Sequence, residues 1–275
     1  ALVIHGGAGF VPKDSITPEE RVAYHAALNR ALDAGNKILR SGGSALDAVT
    51  AAVVVLEDAP QFNAGKGAVF NAKGGHELDA AIMEGHTRRA GAIAGVTTIK
   101  NPIKLARTVM EDSPHVMLAG AGAEAFADTR PEIERVPNSW FDTDKRRKQL
   151  EKAQQEEAVK GKREARTTDG DAPTYFGTVG AVALDAQGHI AAATSTGGMT
   201  NKKWGRGGEA PTAAATPTSS MSDPSASPVR TARRTDSLMR GATRAPTKRS
   251  AAPSLEHCAI LPVAPFALLL SGVLF

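Results

Sequence analysis

Cysteine is nearly missing from this chain of 275 residues. The single Cys258 excludes an intrachain disulfide framework and a multi-cysteine metal site, and it points to a reducing compartment. An excess of one charge is missing from most of the chain as well. Residues 1–206 carry 26 Lys/Arg against 25 Asp/Glu, whereas 207–275 carry 7 against 4. The net charge of +4 therefore gathers in the tail and marks no basic face for nucleic acid. Long apolar runs are scarce. The opening run 1–4 is too short for the core of a secretory signal and reads as a buried strand. The one extended run, 258–275, is broken by Pro262 and Pro265. Its uninterrupted part, 266–275, falls short of the ~20 residues a helix needs to cross ~30 Å of hydrocarbon, so no membrane contact is expected from it. Aromatic residues number only 12, and none lies between 207 and 257.

What is present suits a globular protein. A hydrophobic content of 41% is enough to bury a substantial core, which excludes wholesale disorder, and 27 glycines without a strict period exclude a collagen-like chain. After the first strand, His5-Gly6-Gly7-Ala8-Gly9 makes a glycine turn. Thr17-Pro18-Glu19-Glu20 then opens a helix, with Thr17 as N-cap, Pro18 at N1 and Glu20 completing a capping box. Apolar residues from Val22 to Ile38 follow a 3.6-residue period until Gly42-Gly43. Ser44 and Asp47 repeat the start signal for a second helix that stops before Pro60, and the two helices should pack together. Glycines at 65, 67, 74, 75, 85, 91 and 95 separate short apolar runs over 77–83 and 91–99, as in strands joined by tight turns. Asn101-Pro102 opens a further helix, followed by a strand over 115–119 and a glycine-broken helix over 121–127. Residues 142–172 are polar and charged after Leu150, and read as a short helix dissolving into an exposed, flexible, cleavable linker. A hairpin over 177–185 and 190–195 follows, leading into the polar glycine turn Thr196-Gly197-Gly198. From 207 to 257, Ala, Pro, Ser and Thr make up 31 of 51 residues, and a disordered tail is expected.

Thr178 stands between the polar linker and a strand. A threonine there is ordinarily only a β-former. A cut just before it, however, would leave its own α-amine, of ordinary pKa ~7.7–8.0, placed to take the proton from its own hydroxyl. Such a nucleophile needs no histidine, and the linker supplies the chain freedom for the cut. Other polar residues have ordinary readings too. Asn63 beside Ala64-Gly65 suits a turn, Thr196 suits the start of one, and His5 suits a satisfied core position. Lys202 and Lys203 read as solvated, and His76-Glu77-Leu78-Asp79 lacks the helix-spaced second histidine of a zinc site.

Taken together, HGGAG (5–9), SALDAVTAAVVVLED (44–58), FNAGKGAVF (62–70), HELDAAIM (76–83), GAIAGVTTIKNPI (91–103), SPHVML (113–118), GTVGAVALD (177–185) and AAATSTGGMTNK (191–202) closely resemble the plant-type L-asparaginase and isoaspartyl peptidase family. The resemblance is collinear over residues 1–206. It implies an α+β fold, the four-layer αββα sandwich of N-terminal nucleophile hydrolases, made as a precursor that cuts itself between Gly177 and Thr178. The α segment would be 1–177 and the β segment would start at 178–206. Thr178 would be the nucleophile and Thr196 the second threonine that tunes it, with Asn63 facing the site. Arg206 would clamp the substrate α-carboxylate with a bidentate guanidinium. Glu209 stands where the family places the aspartate that binds the substrate ammonium. The substrates implied are small molecules, L-asparagine and β-aspartyl dipeptides, and the mature enzyme would be a cytoplasmic homodimer of αβ units. No cofactor is required, although the backbone near 57–67 resembles a loop that holds a structural sodium ion. The absence of cysteine before 258 and the text GTVGAVALD argue against the lysosomal glycosylasparaginase branch.

After Arg206 the family pattern would continue with Val-Gly-Asp and a Thr-Gly turn bearing the oxyanion-hole donors. Here the chain reads Gly207-Gly208-Glu209-Ala210-Pro211 and enters the Ala/Pro/Ser/Thr tail. The C-terminal strands of the sandwich are therefore expected to be incomplete. A shifted reading frame in a G+C-rich gene would produce such a tail, and it carries an alternative expectation: a truncated or frameshifted relative that is unprocessed and inactive.

Overall fold

A computed structural model describes residues 1–7, 16–160 and 177–205, which lie within one unit, Ala1–Thr218. The tail 207–257 and the apolar segment 258–275 fall outside the described residues. The order of elements is β1 (Leu2–His5), α1 (Pro18–Arg40), α2 (Ala45–Glu57), β2 (Leu78–Glu84), β3 (Ala90–Val96), α3 (Pro102–Asp112), β4 (Met117–Ala119), α4 (Gly120–Asp128), α5 (Asp144–Lys160), β5 (Val179–Leu184) and β6 (Ile190–Thr196). It is a mixed α/β fold.

The helix starts form as their sequences require. Thr17 Oγ1 accepts the Glu20 amide at 3.1 Å while Glu20 Oε2 accepts the Thr17 amide at 3.1 Å, so two of the orphan donors of α1 are satisfied. At α2, Ser44 Oγ accepts the Asp47 amide at 3.0 Å and donates its own proton to Asp47 Oδ2 at 2.7 Å. The helix α1 ends at Ser41 and Gly42, where a φ of +80° favours glycine. Close packing of α1 depends on Gly35: a Cβ there would lie 2.6 Å from Leu2 Cδ2 and 3.0 Å from the Ala48 carbonyl oxygen.

Six strands form one sheet in the order β1-β5-β6-β2-β3-β4, antiparallel except for the parallel pair β3 and β4. The C-terminal hairpin β5-β6 is therefore inserted between β1 and β2, with Ile4 opposite Ala181 and Ala81 opposite Thr194. One face of the sheet buries Leu78, Ala80, Ile82, Ile93, Val179, Ala181, Ala183, Ala191 and Ala193 in a single core with Val49, Ala52, Val53 and Leu56 of α2 and Ile103, Ala106 and Val109 of α3. Alternation puts Val3, Val182, Leu184 and Ile190 on the opposite face, where they are about half exposed or more. The described residues thus supply one sheet and helices packed on one of its faces.

Two features differ from the sequence reading. The polar segment expected as a linker over 142–172 begins with a helix of 17 residues, α5, longer than the short one expected. It is docked through the buried Leu150 and the buried Arg146, whose Nε donates to the Gly67 carbonyl at 2.6 Å. Residues 161–172 lie outside the described set. Strand β2 also meets β3 with a bulge. Leu78 pairs with Val96 but Ala80 with Ile93, and the extra residue is accommodated at Gly95, whose φ is +68°.

Candidate active site

The hairpin β5-β6 places Thr178, just before β5, and Thr196, at the end of β6, at one end of the sheet. Both continue the alternating set that faces away from α2 and α3. The Thr178 hydroxyl donates to Thr196 Oγ1 at 3.2 Å. Thr196 is buried and also accepts the Gly198 amide at 3.0 Å. Two of the residues singled out by sequence are thus in direct contact.

Asn63 completes this corner from the loop after α2. Its amide group donates to the Gly198 carbonyl at 2.7 Å, and its Oδ1 accepts the Val69 amide at 2.9 Å. Its backbone carbonyl takes the Gly197 amide at 3.0 Å. Asn63 is buried and does more than shape a turn: it ties the 62–69 loop to the Thr196–Gly198 turn. Gly177 is wedged against it, since a Cβ at Gly177 would lie 2.6 Å from Asn63 Cβ. Gly7, with φ +134°, closes from the other side, where a Cβ would lie 3.0 Å from Gly177 Cα. Only glycine fits ahead of Thr178.

Several polar residues that the sequence reading gave no part in the site lie around this corner or were placed differently. Asp79 stands directly across from Thr196 in the β2-β6 register. Its Oδ1 accepts the Gly95 amide of the bulge at 2.8 Å, and burial pushes its carboxyl up to about 6, against the pull of that amide and of Lys202. Lys202, expected to be solvated, is buried: its ammonium donates to the Gly197 carbonyl at 2.5 Å and to the Glu77 carbonyl at 2.8 Å. The correction has a simple cause, because the backbone at 201–202 is stitched to Phe70 and Ala72 and turns the side chain inward. Lys203 next to it is partly exposed and pairs with Glu157 of α5. His5 is not a core histidine. It lies at the end of β1 opposite Gly180, where a Cβ would meet its Nε2 at 2.5 Å. His76 is a buried structural residue instead, bonded to the Val69 carbonyl at 3.2 Å and to Asp142 Oδ1 at 3.0 Å. Glu57 of α2 is fully buried beneath the site. Its Oε1 accepts the Ile103 amide at 2.9 Å, and burial pushes it up to about 8 although that amide, Ser195 and Asn101 pull the other way. Among the described residues no group of three or more His, Cys, Asp and Glu side chains could hold a metal ion.

The loop after α2 was expected to hold a structural sodium ion. In the structure this loop packs carbonyl oxygens tightly against its two glycines. A Cβ on Gly65 would overlap the Glu57 carbonyl, and one on Gly67 would overlap the Phe62 carbonyl and lie 2.6 Å from that of Pro60. These carbonyls lie where a side chain would begin, so both positions need glycine. Arg206 and Glu209 lie outside the described residues.

A family model described as asparaginase matches residues 1–221, past Arg206 and into the tail. The chain belongs to the asparaginase family. Among individual proteins, it is 49% identical over 210 residues to the isoaspartyl peptidase of Escherichia coli K12, covering 76% of this chain and 64% of that protein. It is 47% identical over 211 residues to the isoaspartyl peptidase/L-asparaginase of Homo sapiens, again 76% of this chain and 64% of the relative. The chain thus spans a little under two thirds of the length of these relatives.

Proposed function

We propose that this chain is a self-processing amidohydrolase with Thr178 as nucleophile, acting on L-asparagine and on β-aspartyl dipeptides. The observation that carries the reading is the 3.2 Å contact between the Thr178 and Thr196 hydroxyls beside a glycine that only Gly177 can be. In the precursor, Thr178 Oγ adds to the Gly177 carbonyl carbon, the C–N bond breaks, and the nitrogen takes the hydroxyl proton to become a free amine. Water then hydrolyses the ester and releases residues 1–177. The new α-amine accepts the proton from Thr178 Oγ as it attacks the side-chain amide or isopeptide carbonyl of the substrate. Ammonia or an amino acid leaves, and water hydrolyses the β-aspartyl ester. Thr196 holds the attacking oxygen, Asn63 keeps the turn and the scissile Gly177 in place, and Arg206 and Glu209 bind the substrate carboxylate and ammonium. The loop carbonyls near 57–67 would hold a sodium ion, which supplies positive charge to order the loop.

The exposed apolar face of the sheet supports a second sheet lying against it, the inner contact of a four-layer αββα sandwich. The scarcity of cysteine supports a cytoplasmic site of action. The reading includes a homodimer of processed αβ units. The family match ends at 221 of 275 residues, which favours a second reading, an unprocessed and inactive relative.

A denaturing gel followed over hours decides between them. The first reading expects the chain to yield fragments 1–177 and 178–275, with ammonia released from L-asparagine, and expects Thr178→Ala to stay intact. A Thr178→Ala chain cut like the wild type would overturn it, and an intact, inert wild-type chain would establish the second.

A further inference from the structure

We propose that Lys202 is a positioning residue for this reaction: its buried ammonium locks the Gly197–Gly198 peptide so that Thr196 is aimed at Thr178. The inference rests on the threonine-nucleophile reading above. It starts from an unusual burial, since Lys202 is only 6% exposed and a lysine side chain loses rotamer freedom and hydration when it is buried. Its ammonium has two backbone acceptors, the Gly197 carbonyl at 2.5 Å and the Glu77 carbonyl at 2.8 Å. The charge is balanced by the nearby Glu77 and Asp79 carboxylates, while desolvation holds the ammonium below the ordinary lysine range.

The Gly197 carbonyl and the Gly198 amide belong to one peptide plane. Lys202 grips the oxygen end of that plane, and Thr196 Oγ1 accepts from its N–H end at 3.0 Å. A Gly-Gly peptide has little intrinsic preference against flipping, and Gly198 sits at φ +72°. Without the ammonium the carbonyl would be buried and unpaired, and rotation of the plane would relieve it at the cost of the bond to Thr196. With the ammonium in place, one acceptor site of Thr196 Oγ1 is occupied by the Gly198 N–H, and the oxygen meets the Thr178 hydroxyl from a defined direction. The neighbouring bonds from Gly197 N–H to the Asn63 carbonyl and from Asn63 Nδ2 to the Gly198 carbonyl hold the turn in place, but neither touches this peptide's oxygen. The backbone of residue 202 is itself fixed, because its carbonyl accepts the Ala72 amide at 2.9 Å and the preceding amide donates to Phe70. The side chain can therefore be changed without moving the segment that carries it.

The test has two independent readouts. In a Thr178→Ala background, where no chain is cut, Lys202→Met should speed hydrogen exchange of the Gly198 amide at least tenfold and leave β2 and β3 amides unchanged. Unchanged Gly198 exchange overturns the proposal, whether or not the chain is an enzyme. In the otherwise wild-type chain, Lys202→Met should slow the cut before Thr178 by one to two orders of magnitude, and Lys202→Arg, which keeps a donor, should fall between it and the wild type. A Lys202→Met chain that folds and cuts at the wild-type rate also overturns it. Should Lys202→Met fail to fold, Lys202→Arg decides: faster Gly198 exchange with a slower cut supports the proposal, and wild-type values of both overturn it. A wild-type chain that never cuts refutes the functional reading instead, and the exchange measurement then stands alone.

Discussion

Gly177 carries the sharpest consequence of a single missing side chain. A methyl group there would meet Asn63 Cβ at 2.6 Å, so Gly177→Ala must move either the Gly177 carbonyl, the bond cut in the proposed processing, or Asn63. The expected outcome is a cut slowed at least tenfold with the sheet intact, read as persistence of the full-length band together with an unchanged circular dichroism spectrum. On the proposed reading, removing the hydroxyl of Thr196 should cost more, about 10²-fold in both the cut and the turnover of asparagine, because the Thr178 hydroxyl loses its partner. Glu57 makes a prediction about pH. Its folded-state pKa is raised from 4.5 to about 8, so the folded chain holds a proton that the unfolded chain releases, and stability is greatest below 4.5 and falls as pH rises toward 8. Thermal melting should show a lower midpoint at pH 8 than at pH 5, and Glu57→Gln, neutral at both, should flatten that difference; an unchanged difference in the variant would assign the effect elsewhere. Asn63, Thr178 and Thr196 were singled out in the sequence through the family resemblance, while each alone read as a turn or strand residue, and the structure brings them to one corner. Lys202 was not, since nothing local tells a buried lysine from the partly exposed Lys203 beside it. Asp79 did leave a trace: a carboxylate between Leu78 and Ala80, inside an apolar strand, is a buried polar group that needs a partner.

At the scale of elements, local chemistry decides where helices begin and tertiary contact decides where they persist. The capping box of α1 formed as its sequence required, and Thr17→Ala should cost about 1 kcal/mol in a denaturant titration. Helix α5 shows the other case. Its sequence is charged and nearly devoid of apolar residues after Leu150, which reads as linker, yet it runs for 17 residues. The contacts that hold it, from Arg146 to the Gly67 carbonyl and from Gln154 to the Ala72 carbonyl, reach residues some eighty positions away. No periodicity within the helix announces such partners. The bulge at Gly95 is intermediate: a glycine inside a strand pattern signals an irregularity, but only the register of β2 against β3 shows that it brings an amide to Asp79. Packing makes one further demand on β3. A Cβ on Gly91 would overlap the Ala106 carbonyl of α3, so Gly91→Ala should destabilise the chain by ~1–3 kcal/mol, and wild-type stability in that variant would show that α3 can move away.

For the whole molecule, the insertion of β5-β6 between β1 and β2 is the event that assembles the site, because it brings Thr178 and Thr196 against a loop more than a hundred residues earlier in the chain. Sedimentation of the processed protein should give the mass of two αβ units, and a single unit would remove the dimer from the proposal. Among the described residues no helix is long and apolar enough to cross a membrane. The sequence by itself determined the elements whose signals are local: the caps of α1 and α2, the hairpins at Gly-rich turns, and the motifs that mark Asn63, Thr178 and Thr196. It also carried enough collinear motif over residues 1–206 to reveal the family. Only the tertiary structure decided the order of the sheet, the inward turn of Lys202, the docking of α5 and the burial of Glu57 beneath the site. Each of these depends on groups far apart in the chain, where burial and hydrogen bonding act through space and leave no pattern along it.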